Sequence, residues 1–295
     1  MTKKAKNQPG EKKSLAVDKM RPRQWRLNPL NNAAMDYHVY EMTGTEKFLT
    51  LVIGFFLGGV VGLVFYGGLF KNQGDPTIMT YIANTVVFAA AGLVGSVIFV
   101  RIREASLLEK RQKDLRKQFR DMLESVTTSL AAGETTIQSF NNAYVDMKNI
   151  YTDSSYITEE LRQIILADKN NVELEKMLDD FADRSDNEDI ESFASVFKIS
   201  YRQGGRMSEV MRQTHDLISE KMEIEDEIES KIASNKLELN LISLSPIAIV
   251  LMLRLTNPSF AERFATMSGV LASTAAIVIF VIAYFMGRKI IMIRR

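Results

Sequence analysis

The chain has 295 residues, a formal net charge of +1 and no cysteine. The absence of cysteine excludes disulfide scaffolds, thiolate metal sites and cysteine nucleophiles, and the near-neutral charge gives no support to nucleic-acid binding. Hydrophobic residues make up 46 % of the chain. They are concentrated in a few long stretches, a distribution that argues against a purely soluble fold.

Four apolar segments, almost free of Asp, Glu, Lys and Arg, predict membrane spans. They cover approximately residues 48–70, 78–100, 237–253 and 267–287. Each is close to the length of helix that crosses the hydrocarbon core of a bilayer. The predicted fold class is all-α: a polytopic membrane protein with four transmembrane helices and a cytoplasmic helical bundle.

Charge on either side of these segments predicts their orientation. Residues 1–47 carry ten Lys and Arg, whereas the connection 71–77 carries one and the connection 254–266 carries two. By the positive-inside rule, both termini and the middle segment are expected in the cytoplasm. The predicted organisation is a flexible basic tail (1–47), transmembrane helices 1 and 2 (48–100), a bundle (101–236), transmembrane helices 3 and 4 (237–287) and a basic tail (288–295).

The middle segment, residues 101–236, contains no proline and shows apolar residues at helical spacing. The spacing predicts a long helix that continues from the second span to residue 132, where Gly133 ends it. Shorter helices are predicted over 135–150 and 157–168, near 172–181 and from residue 186 onward. Gly204 and Gly205 are expected to end the helix that begins at residue 186. A last helix is predicted to start near Met207 and to enter the third span, which gives about six helices.

Three common motifs for catalysis or cofactor binding are missing from the sequence. It has no phosphate-binding Gly-x-x-x-x-Gly-Lys loop, no His-Glu-x-x-His and no Gly-x-Ser-x-Gly elbow. We therefore predict no enzymatic activity, no catalytic or metal-ligating residues and no cofactor. A channel or transporter subunit and a membrane-tethered signalling adaptor are the alternatives, although the scarcity of ionisable residues in the spans argues against ion-coupled transport.

Two further patterns suggest interaction surfaces. Gly54, Gly58 and Gly62 are spaced four apart, as in helix faces that pack closely within one chain or against a partner. Residues 151–191 contain thirteen acidic and four basic side chains. They form either a solvated face or a docking surface for a basic partner, for which the candidate residues are Asp179, Asp180, Asp183 and Glu188.

Three local patterns carry a resemblance to a known family. They are the corner at residues 129–133 ending in Gly133, the Gly204-Gly205 corner with its following helix, and the connection with Asn257-Pro258 and Gly269. Their order, between two pairs of spans, resembles the type II secretion system F-domain family. The likeness is greatest to the TadB/TadC class of inner-membrane platform proteins of the Tad (type IVc) pilus. The chain departs from that family at Asn170-Asn171, where a glycine is common.

The resemblance implies a function and a set of partners. Such a platform protein sits in the cell (inner or plasma) membrane as a multi-pass protein with cytoplasmic N- and C-termini. It couples a cytoplasmic hexameric secretion ATPase to the extraction of pilin or pseudopilin subunits from the lipid bilayer and to filament assembly. It also associates with itself or with a paralogous platform protein.

Overall fold

The computed structural model describes residues 23–70, 75–203 and 207–293. Two short strands come first, Trp25–Leu27 (β1) and Ala33–Met35 (β2). The helices over these residues are Gly44–Tyr66 (α1), Ile78–Ala131 (α2), Thr136–Ile150 (α3), Tyr156–Lys169 (α4), Leu174–Ser185 (α5), Glu188–Gln203 (α6), Met207–Thr256 (α7), Pro258–Phe264 (α8) and Met267–Ile293 (α9).

The all-α fold with four long apolar helices is confirmed, and the protein is a multi-pass membrane protein. The candidate spans lie in α1, α2, α7 and α9. The first helix begins at Gly44 rather than near residue 48, because Thr43 and Glu46 form a capping box that satisfies free amides of its first turn. The last helix continues to Ile293, so the described part of the predicted C-terminal tail is helical.

Two helices continue well beyond their apolar segments. Helix α2 runs for 54 residues and α7 for 50 residues without a break. This confirms the predicted continuity of the second span with the helix that follows it, and of the third span with the helix that precedes it. Pro246 lies inside α7 and does not end the helix.

The chain divides into two compact units. We call Met1–Glu41 with Glu104–Lys221 the bundle unit, and Met42–Arg103 with Met222–Arg295 the span unit. The bundle unit has an aromatic core in which Phe119 and Phe193 meet edge to face, with ring centroids 5.3 Å apart. Phe119, Phe140, Phe181, Phe193 and Phe197 are each 0–1 % exposed. Truncation of such a core Phe typically costs about 3–5 kcal/mol.

Left-handed residues end three helices of the bundle unit: Gly133 follows α2, Asn171 follows α4, and Asp186, with a φ of 52°, follows α5. Gly133 has a φ of +89°, and the amides of Gly133 and Glu134 bond back to Leu130 and Ser129 in a Schellman arrangement. Asn171 has a φ of 57° and closes α4 in the same way. Asparagine tolerates this conformation better than most residues. The structure thus gives Asn171 the turn role that a glycine often takes.

The N-terminal region differs from the prediction. A flexible tail is predicted over residues 1–47, and for residues 23–41 this is wrong. Strands β1 and β2 pair antiparallel, with Trp25 opposite Met35, and Tyr37 is only 1 % exposed. The ordered structure depends on a few buried residues and on polar contacts with the helices, so it leaves little apolar periodicity in the sequence. Residues 1–22 lie outside the described part of the chain.

Candidate functional site

The three glycines of α1 pack against α2 within the span unit. A Cβ atom added at Gly54 would lie 2.9 Å from Ser96 Cα, and one at Gly58 would lie 2.6 Å from the Ala91 carbonyl oxygen. A Cβ at Gly62 would overlap the Ala91 side chain. Close backbone approach at small residues is a common way for membrane helices to associate. In this chain the glycine face is therefore an intramolecular helix contact.

We expect Gly58→Leu to separate the first two spans. The added side chain has to displace backbone rather than a movable side-chain end, and overpacking of this kind typically costs about 1–3 kcal/mol. Val60→Leu is the matched control because Val60 is 53 % exposed in the same helix. Thermal unfolding of the detergent-solubilised full chain, followed by circular dichroism, should show a lower midpoint for Gly58→Leu only. Equal midpoints for the two variants would contradict this packing.

The connection between the last two spans is built around a short helix. The Asn257 side chain accepts a hydrogen bond from the Phe260 amide at 3.2 Å, and Pro258 occupies the first turn of α8. A Cβ atom at Gly269 would overlap the Arg263 carbonyl oxygen and lie 2.9 Å from Phe264 Cα. The motif residues Asn257, Pro258 and Gly269 therefore shape the tight turn from α8 into α9.

Arg254 links this connection to the first span, a role that the sequence did not reveal. Its Nη1 and Nη2 atoms donate to the carbonyl oxygens of Leu63 and Gly67, at 2.9 and 3.0 Å. The guanidinium also lies 5.3 Å from the Phe264 ring centroid. A cation is favourable at the carboxyl end of a helix, and here Arg254 satisfies carbonyls at the end of α1. The helix α7 extends to Thr256, so Arg254 lies within it rather than in the predicted connection.

Glu238 is an acidic side chain within the predicted third segment, 237–253, whose near-absence of charge entered the argument against ion-coupled transport. It lies one residue inside that segment and is exposed. A carboxylate this close to the predicted end of a span can reach the polar interface, where the cost of charge is far below that at the bilayer centre. Its position does not by itself indicate an ion pathway.

The second corner motif is only partly described. Helix α6 ends at Gln203 and α7 begins at Met207. Gly204 and Gly205 lie between these bounds and outside the described residues, so the predicted break stays a prediction at this position.

The four predicted docking carboxylates do not form one uniform free surface. Asp179 pairs with Lys198, with a separation of 2.6 Å, and Asp180 pairs with Arg184 at 2.8 Å. Asp183 and Glu188 are exposed to solvent. The acidic stretch is thus divided between carboxylates that are paired with basic side chains of the bundle unit and carboxylates that face outward.

A buried ionic cluster occupies the centre of this region. The Arg184 guanidinium donates two hydrogen bonds to the Glu160 carboxylate, both 2.7 Å, and a third to the Met35 carbonyl oxygen, also 2.7 Å. The Tyr37 hydroxyl donates to Glu160 at 3.1 Å. Arg184 and Glu160 are 1 % and 3 % exposed. We call these residues, with Asp180, the Arg184 cluster; it joins α4, α5 and the N-terminal region.

The cluster fixes the protonation states of Arg184 and Tyr37. Burial acts to lower the pKa of Arg184, but the adjacent Glu160 and Asp180 carboxylates outweigh it and the net pKa is raised. Burial, with the negative charge of Glu160, raises the pKa of Tyr37 well above its ordinary value. Arg184 is therefore a cation and Tyr37 a neutral hydrogen-bond donor throughout the physiological pH range.

A second ionic contact joins three helices. The Asp189 carboxylate lies 2.9 Å from Arg116 Nη2 on α2 and 2.7 Å from Lys221 Nζ on α7. The neighbouring Glu188 and Glu191 are exposed. Asp189 thus serves as an internal ion-pair partner. Within the described residues, no group of three or more His, Asp or Glu side chains is arranged to hold a metal ion.

Comparisons with known protein families, with curated proteins and with solved structures found no match.

Proposed function

We propose that this protein is the inner-membrane platform of a type IV (Tad-like) pilus or type II secretion machine. In this role it couples a cytoplasmic hexameric secretion ATPase to the extraction of pilin or pseudopilin from the bilayer. The observation that carries the proposal is the continuity of α2 and α7. Each contains a candidate membrane span and also contributes buried residues to the bundle unit, Phe119 in α2 and Met211 in α7.

Helix continuity suits the transmission of movement. A helix rises by about 1.5 Å per residue and keeps its hydrogen bonds within the segment, so a rotation or shift at one end is carried along the axis. A flexible linker in the same place would dissipate that movement. The corners at Gly133 and at Asn257-Pro258, which carry the family resemblance, lie at helix ends, where they shape the path of the chain between helices.

The proposal requires the bundle unit to be cytoplasmic, which single cysteines can test because the chain has none. Asp75→Cys and Ser259→Cys should react with a membrane-impermeant thiol reagent in intact cells, or in spheroplasts where an outer membrane is present. Thr128→Cys and Ser195→Cys should react only after the membrane is permeabilised. All four positions are exposed in the structure, so protection reports location rather than burial. Labelling of position 195 from outside would overturn the orientation.

The outward-facing carboxylates are proposed to dock a basic surface of the ATPase. Asp179 and Asp180 already have basic partners in the bundle unit, so the informative variant neutralises exposed residues only. It combines Asp183→Asn, Glu188→Gln and Glu191→Gln. Single exposed pairs contribute only about 0–1 kcal/mol, whereas several charges together steer association more strongly.

Binding kinetics of the full chain in detergent with the purified ATPase measure this effect. The triple variant should associate several-fold more slowly at low salt, an order-of-magnitude expectation for lost steering, and its rate should depend less on ionic strength. The control neutralises three exposed carboxylates elsewhere: Glu104→Gln, Glu109→Gln and Glu134→Gln. An association rate equal to that of the unmodified chain across the salt series would assign the acidic stretch to solvation.

A further inference from the structure

The N-terminal residues 23–41, which we call the strap, are fastened to three helices of the bundle unit. The Asn28 and Asn32 side-chain amides both donate to Gln163 on α4, at 3.2 and 3.1 Å. On α2, Gln112 donates to the Tyr37 carbonyl oxygen at 3.1 Å. On α5, the Arg184 carbonyl oxygen accepts the Tyr37 amide at 2.8 Å. The strap is thus held from several directions by specific hydrogen bonds.

Tyr37 is the anchor of the strap. It is 1 % exposed, and its ring meets Tyr156 and Phe181 edge to face at centroid distances of 5.9 and 6.5 Å. Its hydroxyl joins the Arg184 cluster through Glu160. A large side chain buried at an aromatic and ionic contact contributes far more to attachment than exposed polar contacts do.

Arg111 of α2 contacts both ends of the strap. Its guanidinium lies 4.3 Å from the Tyr40 ring centroid and donates to the Val39 carbonyl oxygen at 3.2 Å and to the Gln24 side chain at 3.3 Å. The contact therefore joins both ends of the strap, residues 24 and 39–40, to one side chain.

The strap leads into the first span through a very short connection. The Glu41 side chain accepts the Arg23 amide at 3.1 Å, which ties the last strap residue to the first. Thr43 already belongs to the cap of α1, where its amide bonds to Glu46 at 3.0 Å. Only Met42 separates the strap from the capped start of the helix.

We propose that the strap is a latch that couples the bundle unit to the first membrane span. Through it, a displacement of α4 and α5 reaches α1 directly, in addition to any movement carried by α2 and α7. The Arg184 cluster is the main attachment point of the latch, because Tyr37, the anchor of the strap, is buried against it. This coupling needs only the contacts within the chain, so it goes beyond the platform function and holds whatever partners dock on the bundle unit.

Thiol labelling of the full chain in lipid nanodiscs tests the anchor. Ala34→Cys places a reporter at a position of the strap that is 3 % exposed, and Leu27→Cys, at a position 40 % exposed, is the control for reagent access. Tyr37→Ala should accelerate labelling at position 34 at least about tenfold and leave position 27 unchanged. Tenfold corresponds to about 1.4 kcal/mol, less than the usual cost of removing a buried aromatic. Unchanged labelling at position 34 would show that Tyr37 is not the anchor.

Spin-label distances test the coupling itself. Labels at positions 45 and 195 report the distance between α1 and the bundle unit. Labels at positions 128 and 195 report a distance within the bundle unit. Tyr37→Ala should broaden the 45–195 distance distribution and leave the 128–195 distribution narrow. Inserting Gly-Ser-Gly-Ser after Met42 should broaden the 45–195 distribution while labelling at position 34 stays slow, because the anchor is intact and only the connection is loosened.

The insertion variant decides the proposal even where Tyr37→Ala disturbs the bundle. A narrow 45–195 distribution in the insertion variant would overturn the latch, since α2 and α7 alone would then fix the first span. None of these measurements involves an ATPase or a pilin, so failure of the latch is distinguishable from failure of the platform function.

Discussion

Arg184→Met is expected to destabilise the bundle unit by about 3–5 kcal/mol, because it leaves the Glu160 carboxylate buried without a cation. The substitution also removes the donors to Asp180 and to the Met35 carbonyl oxygen. For a domain of this size the loss corresponds to a fall of roughly 10 °C or more in the unfolding midpoint. Thermal unfolding of the full chain in detergent, followed by circular dichroism, measures it.

Two further variants separate the cost of an isolated buried charge from the cost of losing an ion pair. Arg184→Met combined with Glu160→Leu removes both members of the pair, and should be less destabilised than Arg184→Met alone because no isolated charge remains buried. Lys198→Met breaks the exposed pair with Asp179 and should change stability by only about 0–1 kcal/mol. A midpoint for Arg184→Met no lower than that for Lys198→Met would contradict the central role of the Arg184 cluster.

Inserting four glycines after Ser234 is expected to abolish filament assembly or secretion while membrane insertion stays normal. Ser234 lies inside the uninterrupted helix α7. Glycine is about 1 kcal/mol per residue less favourable than alanine in a helix interior, so the insertion places a weak point in the proposed transmission path. Filament or secretion assays in cells, with membrane fractionation of the variant, measure both effects.

Insertion of four alanines at the same place is the matched control. Both insertions add about 6 Å and rotate the following helix by roughly 40°, but only the alanines keep it continuous. Activity should survive better in the alanine variant. Full activity with four glycines would show that α7 need not be continuous, and equal loss in both variants would assign the effect to length or phase instead.

Local signals predicted most of the helical architecture. The apolar segments predicted the spans because backbone in a bilayer is restricted to structures with internal hydrogen bonds. Gly133 predicted the end of α2 because glycine adopts the left-handed conformation at helix ends more readily than other residues. In the structure its φ is +89°. The continuity of α2 and α7 was predictable because neither region contains a strong breaker where the apolar segment meets the charged one.

The Arg184 cluster was not predicted, although its signal is present in the sequence. Arg184 follows Met177 by seven residues and Phe181 by three, which places it on the apolar face of α5. Glu160 lies on the apolar face of α4 in the same way, three residues after Ile157. The acidic composition of residues 151–191 does not reveal this difference, because composition does not distinguish a charge on a buried face from one on an exposed face.

The strap was missed for a different reason. Its strands have three residues each, too few for an alternating pattern to emerge. A turn signal was available in Asn28-Pro29-Leu30-Asn31-Asn32, since Asn and Pro cluster in turns between strands. In the structure Asn31 has a φ of 59°, and the Asn28 side chain accepts the amides of Leu30 and Asn32, both at 3.0 Å. Partners more than a hundred residues away, such as Gln163, decide whether such a hairpin is stable.

Affinity purification of the tagged full chain from native membranes, with mass spectrometry of what accompanies it, tests the platform proposal most directly. The platform function predicts that a hexameric secretion ATPase and a pilin or pseudopilin copurify with the chain after mild detergent extraction. Recovery of the ATPase should fall at high salt, because exposed charges are screened beyond about 10 Å at 0.1 M. Complete extraction of the chain without either protein, at low salt and after chemical cross-linking in the membrane, would contradict the proposed function.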